Sequence, residues 1–239
     1  MKRTPRPLKN LPFLEHLEEL RGRIIQSVIA VVVASCFFYQ YVDDIIPQLV
    51  RPVGRLVFTA PAEALAASLT LTFLGGFFIA SPFVIFHIWQ FVGHALTEGE
   101  RRYIAFYGPC SLALFLLGGA FGYIFILPVT FKFFLGFSSR NLVPMITIKQ
   151  YISFVGSLCV SFGIIFELPL VLMFLTRIGI VTPAFLSQKR RHAIVLIFII
   201  SAILTPSPDY VSQILMAIPM LGLYELGFVF SRLTYRPAG

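Results

Sequence analysis

The sequence predicts an all-α integral membrane protein with six transmembrane helices, and three observations lead to that fold class. Hydrophobic residues make up 57% of the 239 residues and charged residues only 13%, with a mean hydropathy of +0.85, unlike a soluble domain. Apolar runs of membrane-spanning length occupy most of the chain. The cations lie at the ends of these runs and form no basic stripe with interleaved aromatics, so we expect membrane lipid and no nucleic acid as a partner.

The chain begins with an amphipathic segment, residues 1–23, that we expect to lie in the cytoplasm and to continue into the first span. Leu17, Leu20 and Ile24 recur at helical spacing, and carboxylates occupy the other faces. The basic residues at the start precede this acidic stretch rather than a short apolar core with a small-residue cleavage site. We therefore expect no removable signal peptide.

Six apolar runs predict a six-span bundle over residues 24–230, within a single membrane domain of residues 1–239. The fifth run has 12 residues, about 18 Å of helix against a hydrocarbon core of about 30 Å. We expect the last two spans to be short, either as a re-entrant hairpin or in a locally thinned bilayer. The predicted spans are Ile24 to Tyr41, Leu69 to Trp89, Cys110 to Val129, Tyr151 to Leu175, Ala193 to Leu204 and Tyr210 to Phe230.

The distribution of lysine and arginine predicts the orientation of this bundle. An even number of crossings places both termini on one side, and 14 of the 19 basic residues fall on that side. Lysine and arginine near span ends are retained in the cytoplasm. Both termini, including the tail of residues 231–239, are therefore predicted to be cytoplasmic.

The fourth run contains one ionisable residue, Glu167, directly before Leu168-Pro169. A carboxylate inside a span is costly and by default marks a functional position facing protein or water. The alternative is that Glu167 lies nearer an interface and Pro169 lets water reach it. If the last two spans are short helices, Thr205, Asp209 and Gln213 are expected at a similar depth, in a wet cavity.

No metal, cofactor or catalytic pattern is visible in the sequence. The three cysteines lie far apart in apolar runs, without a CxxC pair, and the four histidines show no ligand spacing. We expect the Gly75-Gly76 and Gly118-Gly119 pairs to let helices approach closely. The two outside loops, residues 42–68 and 130–150, mix apolar residues, prolines and sparse charge, which predicts segments that lie in the membrane interface.

Two groups of carboxylates lie on the predicted cytoplasmic face, one around Glu19 and one around Glu100. They are open to two interpretations. One is a solvated face with local ion pairs. The other is a pair of sites that accept guanidinium groups, because the planar fork of arginine suits bidentate pairing with carboxylate. A partner with two adjacent arginines fits the second interpretation.

The motifs in order along the chain resemble the TatC family, the membrane receptor core of the twin-arginine protein translocase. The first is the HLxELRxR opening at residues 16–23, and the resemblance extends over nearly the whole chain. The later motifs are Pro61-Ala62-Glu63, Trp89-Gln90-Phe91, Glu100-Arg101-Arg102, Gly119 to Tyr123, Leu127-Pro128, Phe166-Glu167-Leu168-Pro169, Arg191, Thr205-Pro206, Asp209, Ser212-Gln213, Ala217-Ile218-Pro219 and Leu223-Tyr224-Glu225.

This resemblance implies a six-helix concave cup that binds twin-arginine signal peptides of folded cargo at its cytoplasmic surface. Glu19 and Glu100 are implied as the carboxylates that receive the arginine pair. Phe91 and Leu20 are implied to add apolar contact, and Arg21 to hold the local charge network. Arg101 belongs to the same signal-peptide site.

The resemblance also implies residues and partners inside the membrane. Glu167 is implied to line the concave face, and Gln213 with Thr205 to form the polar patch where a TatA-type helix docks, near Asp209. Pro61 and Glu63 mark the first outside loop. The implied setting is a multimeric receptor complex in the bacterial cytoplasmic membrane, with TatA-type and TatB-type single-span partners, no cofactor, and export driven by the transmembrane gradient.

Two other classes of protein were weighed against this one. A proton-coupled secondary transporter would use Glu167 as its titrating site. An intramembrane hydrolase would need a nucleophile paired with a base, or a paired-histidine metal site, and the spans contain neither pattern. The enzyme class is therefore the least favoured.

Overall fold

The structure is a computed structural model that describes residues 11–51, 53–54, 56–94, 104–136, 145–204 and 210–235. These residues are helical apart from short connections, which confirms the predicted all-α class. The helices are α1 (Leu11–Phe38), α2 (Val42–Val50), α3 (Pro61–His94), α4 (Ile104–Phe121), α5 (Leu127–Leu135), α6 (Ile148–Phe166), α7 (Leu168–Arg177), α8 (Pro183–Gln188), α9 (Arg190–Leu204) and α10 (Tyr210–Thr234).

Five helical segments of the described chain are long and apolar enough to cross a membrane, at positions 17–50, 61–93, 105–135, 148–177 and 213–234. They match five of the six predicted spans but begin earlier or end later, because helical structure continues beyond the apolar run. The fifth predicted span corresponds to α9, whose 15 residues extend about 22 Å. The last helix, with 25 residues, is longer than predicted and about 38 Å in length.

The third and fourth spans are each interrupted near a proline. A π-helical turn, Gly122–Ile126, separates α4 from α5 just before Leu127-Pro128. The fourth span breaks at Glu167, where α6 ends and α7 begins before Pro169. A proline within a helix removes one backbone hydrogen bond and crowds the preceding turn, which accounts for both interruptions. The interruption in the fourth span lies at its intramembrane acid.

Helix α6 is the centre of the packing. Its side chains Tyr151, Ile152, Val155, Leu158 and Phe162 are at most 2% exposed and belong to one apolar core. Helices α3 and α4 pack on α6, while α1 packs mainly on α3. On the other side α10 packs on α7, and α9 mainly on α10. This order places α1 and α9 at opposite ends of an open bundle.

Glycines bring these helices into backbone contact, as predicted from the paired glycines. A side chain at Gly76 would collide with the backbone of Ser35 on α1, and one at Gly118 with the carbonyl of Phe162 on α6. A Cβ at Gly227 would stand 3.1 Å from the Cα of Pro169, so α10 also lies directly against the start of α7. Small residues permit this close packing where lipid supplies no hydrophobic driving force.

The two segments that the sequence predicts to lie outside contact each other and the bundle. The Tyr151 hydroxyl donates to the Leu49 carbonyl at 2.6 Å and ties α2 to α6. The two segments meet where Ile148 N–H donates to the Val57 carbonyl at 2.9 Å. Pro61 is the exposed first residue of α3, and the Glu63 carboxylate accepts from Thr59 N–H at 2.9 Å. Glu63 therefore caps the start of α3.

Candidate functional site

The predicted carboxylate Glu19 lies where the first turns of α1 meet the end of α3. Arg23, one turn further along α1, donates through Nε to Glu19 Oε1 at 2.9 Å and also through a terminal nitrogen. A second terminal nitrogen of Arg23 donates to Gln90 Oε1 of α3 at 2.6 Å. The side chains of Arg23 and Glu19 are 14% and 27% exposed, so the pair is partly withdrawn from water. Arg23 thereby joins the two helices at this rim.

Two cavities flank this ion pair. A polar cavity of about 350 Å³ is lined by Glu19, Gly22, Arg23, Gln26, His87 and Gln90. An apolar groove of about 730 Å³ runs between α1 and α3 and is lined by Leu20 and Phe91 at the rim. The structure therefore brings three predicted site residues, Glu19, Leu20 and Phe91, to one junction. The arrangement offers charge beside an apolar channel.

The other predicted rim residues have different positions. Arg21 is exposed on α1, and Arg23 rather than Arg21 makes the ion pair with Glu19. Glu100 and Arg101 lie outside the described residues, so the second carboxylate of the predicted site stays a prediction.

The intramembrane acid has a specific partner. Ser111 on α4 donates its hydroxyl to Glu167 Oε1 at 2.8 Å, and Ser111 is only 4% exposed. The Glu167 carbonyl accepts from Val171 N–H at 2.9 Å and begins α7. At the interruption of the fourth span, the Glu167 carboxylate thus contacts α4, where the Ser111 hydroxyl stabilises it.

The predicted polar patch at the end of the bundle is partly described. Gln213 on α10 donates to the Phe198 carbonyl of α9 at 2.9 Å and links these two helices. The adjoining surface is apolar and exposed, with Val195, Ile203 and Ile218 at 58%, 77% and 61% exposure. Thr205 and Asp209 lie outside the described residues, so their depth relative to Glu167 stays a prediction.

Metal binding has no candidate in the part of the chain that the structure describes, where no three His, Cys, Asp or Glu side chains come together. Cys36 is exposed, Cys110 is partly exposed and Cys159 is buried in the central core.

Four residues of these sites were not predicted from the sequence as site residues, namely Arg23, Gln90, His87 and Ser111. Arg23 carries a readable signal, because a glutamate four residues before an arginine on a helix favours an ion pair. Gln90 and Ser111 act across helices, and no local pattern marks such partners. His87 is 8% exposed, and neither ring nitrogen has a hydrogen-bond partner among the described residues.

The fold and these sites define a multi-span helical membrane protein with an ion pair in a cleft between α1 and α3 and a hydrogen-bonded carboxylate within the fourth span. A family model described as "Sec-independent protein translocase protein (TatC)" matches residues 15–219. The chain belongs to the TatC family. It is accordingly a multi-pass protein of the bacterial inner membrane, in a family of translocase components rather than of catalytic enzymes.

Curated relatives and solved structures agree with this assignment. A TatC of Desulforapulum autotrophicum is 39% identical over 228 residues, covering 92% of this chain and 84% of the relative. A TatC of Aquifex aeolicus is 38% identical over 234 residues, covering 95% and 97%. A crystal structure titled as the twin-arginine translocase receptor TatC superposes with a TM-score of 0.84 at 37% identity, covering 92% of this chain and all of that one.

Proposed function

We propose that this protein is the receptor for twin-arginine signal peptides and the core component of a translocase that exports folded proteins. The observation that supports the proposal is the position of Glu19 at the rim, beside Arg23 and next to the groove of Leu20 and Phe91. Curated relatives named as Sec-independent translocase proteins and a solved structure named as the twin-arginine receptor support it further.

In this mechanism the first arginine of the signal peptide binds Glu19 by charge-assisted hydrogen bonds. A carboxylate accepts several hydrogen bonds, so Glu19 can bind a second guanidinium beside that of Arg23. Partial burial of the Glu19–Arg23 pair strengthens each interaction relative to water. Glu100 and Arg101 complete the site for the second arginine.

The apolar part of the signal peptide follows the arginine pair into the membrane. Leu20 and Phe91 provide the apolar wall next to Glu19. We propose that the peptide then follows the concave face toward Glu167, whose carboxylate accepts a hydrogen bond from Ser111 of α4. The polar side chains inside the bilayer then face peptide rather than lipid, which lowers the cost of keeping them there.

Single-span partners of the TatA and TatB types are proposed to complete the complex. The exposed apolar surface of α9 and α10 beside Gln213 is a suitable docking face, with Asp209 and Thr205 following α9 in the chain. Helix α9 is about 8 Å shorter than the hydrocarbon core, so the bilayer next to it is expected to thin. A thinned bilayer lowers the barrier to passage of a folded protein.

The proposed orientation has both termini in the cytoplasm, as the 14 of 19 basic residues on that side indicate. Export is then driven by the transmembrane gradient. We expect export into inverted vesicles to stop when the gradient is collapsed by a protonophore, and undiminished export would refute the gradient as the energy source.

The decisive experiment is the binding of a peptide with two adjacent arginines to the full chain in nanodiscs. We expect Glu19→Gln to weaken binding about tenfold to 150-fold, because a hydrogen bond to a charged group contributes about 1.5–3 kcal/mol. Glu18→Gln is the matched control, since Glu18 is the exposed neighbour on the same helix and its loss removes the same charge.

Equal effects of the two variants would show that only bulk charge matters and would refute the Glu19 site. Insensitivity of peptide binding to both Glu19→Ala and Glu100→Ala would instead favour the transporter with Glu167 as its titrating group. The family assignment does not favour that alternative.

A further inference from the structure

The cleft between α1 and α3 contains one buried polar side chain that the proposed signal-peptide site leaves unexplained. His87 is 8% exposed, it lines both the polar cavity and the apolar groove, and neither ring nitrogen has a partner in the described residues. The ring instead packs edge-on against Phe83, with centroids 4.3 Å apart. Buried polar groups without partners are rare in native proteins, and each calls for an explanation such as a ligand.

The polar end of the cleft presents hydrogen-bond donors from Arg23 and His87, next to the Glu19 carboxylate that Arg23 binds. Arginine has five N–H groups, and the three bonds from Arg23 to Glu19 and Gln90 leave two N–H groups without a described partner. A neutral histidine supplies one further N–H donor. A half turn of the His87 ring about its Cβ–Cγ bond exchanges nitrogens with carbons, so either edge of the ring can present that donor. A group with several acceptor oxygens matches this set.

The apolar end of the cleft is open to the bilayer. Ile24, Val28, Val32, Phe73 and Ile88 line the groove and are 46% to 55% exposed, within helices that cross the membrane. A molecule that diffuses in the bilayer reaches the groove directly from the side. Lipid is the molecule available there in excess.

The dimensions of the groove suit a lipid chain. Its volume of about 730 Å³ lies in the range of small-ligand sites. The α1 lining from Leu20 to Val32 is about 18 Å long, so an acyl chain can lie lengthwise along the helix.

We propose that the α1–α3 cleft binds one anionic phospholipid, with an acyl chain in the groove and the phosphate at Arg23 and His87. The phosphate oxygens accept from the two remaining Arg23 N–H groups and from the His87 ring. A phosphatidylglycerol headgroup fits better than phosphatidylcholine, because the choline ammonium adds a positive charge beside Arg23 and accepts no hydrogen bond.

The test is a lipid titration of the detergent-solubilised full chain, read by native mass spectrometry with phosphatidylglycerol and phosphatidylcholine of equal chain length. We expect His87→Phe, which keeps an aromatic ring, to weaken phosphatidylglycerol binding about tenfold, the factor that about 1.4 kcal/mol represents. Val28→Trp, at a lipid-facing position of the groove, should weaken binding of both lipids.

Matched controls are His192→Phe, at an exposed position on α9, and Val33→Trp, which lies on α1 outside this groove. Both should retain the wild-type affinity. Val28 is exposed, so the Val28→Trp protein should fold normally. Unchanged phosphatidylglycerol binding by this variant would overturn the proposal. A second experiment places a cysteine at position 28 (Val28→Cys) and measures its reaction with a thiol reagent. If an apolar arginine-containing peptide protects this cysteine and phosphatidylglycerol does not, the proposal is overturned and the groove is assigned to the peptide.

The bound lipid should also strengthen peptide binding, a consequence that rests on the proposed function. Phosphate at Arg23 neutralises the guanidinium, so an incoming arginine meets less repulsion when it binds Glu19. We expect the twin-arginine peptide to bind several-fold tighter in phosphatidylglycerol nanodiscs, with this gain reduced in His87→Phe, which leaves the general attraction of the anionic surface intact. Failure of the lipid titration removes the lipid site alone, whereas insensitivity of peptide binding to Glu19→Gln removes the proposed function alone.

Discussion

Replacing Arg23 with glutamine should strengthen the binding of a peptide with two adjacent arginines, although Arg23 stabilises the free protein. Arg23 holds the Glu19 carboxylate by two hydrogen bonds to Oε1 and also bonds Gln90. An incoming guanidinium therefore approaches a carboxylate that is already neutralised, and it is repelled by the resident cation. Glutamine removes that cation and with it the repulsion of the incoming guanidinium.

The magnitude follows from Coulomb's law. Two guanidinium groups on one carboxylate stand about 6 Å apart, and their repulsion is about 0.7 kcal/mol at the dielectric constant of water and about 2.8 kcal/mol at an effective value of 20. The 14% and 27% exposure of the two side chains places the site between these limits. We therefore expect peptide binding to tighten by about threefold to 100-fold.

The assay is fluorescence anisotropy of a labelled peptide against the full chain in nanodiscs, at low and at high salt. The gain should shrink at high salt, because a partly exposed ion pair is screened. Lys189→Gln, which removes one charge from an exposed position before α9, should leave the affinity within about twofold. Weaker peptide binding by a folded Arg23→Gln protein would refute the reasoning and assign Arg23 a direct part in holding the peptide.

Two further predictions concern the interior of the bundle. Ser111→Ala removes the 2.8 Å hydrogen bond to Glu167 and should lower the free energy of unfolding in detergent by about 1–3 kcal/mol. Thermal scanning measures this loss. An unchanged unfolding transition would show that another group donates to the Glu167 carboxylate. Gly118→Ala places a methyl group against the Phe162 carbonyl and should destabilise the protein by about 1–3 kcal/mol. Gly108 on the same helix has open space around it, so Gly108→Ala should be neutral or slightly stabilising. Equal effects of the two variants would contradict the contact between Gly118 and Phe162.

The spans were predictable because their signal lies within each segment. An apolar run of about 20 residues satisfies its own backbone hydrogen bonds only as a helix, so length and composition specify α3, the fourth span and α10 without reference to neighbours. The positions at which these helices begin and end were less predictable. Helix α3 begins at Pro61, because proline fits a first helical position and Glu63 caps the turn, although the apolar run itself starts later.

At the junction of α1 and α3, the sequence predicted the carboxylate of Glu19 but not the residues that bind it across the helices. The acidic residue Glu19 was identified from the motif, and the pairing with Arg23 follows from spacing of one helical turn. The bond to Gln90 joins residues 67 positions apart. Which face of α3 meets α1 depends on the close contact at Gly76, and the sequence alone does not state which helix that glycine contacts.

The intramembrane site shows how close helix packing determines a distant hydrogen bond. Gly118 lies two turns after Ser111 on α4, and Phe162 lies between one and two turns before Glu167 on the fourth span. The backbone contact between Gly118 and Phe162 brings the two helices together in antiparallel register, so that Ser111 and Glu167 meet at 2.8 Å. Enlarging Gly118 should therefore weaken the Ser111–Glu167 bond without touching either residue. A double-mutant cycle of Gly118→Ala and Ser111→Ala tests this coupling. The double variant should lose less unfolding free energy than the sum of the losses in the two single variants. Additive losses would mean that the Ser111–Glu167 bond survives the change in packing.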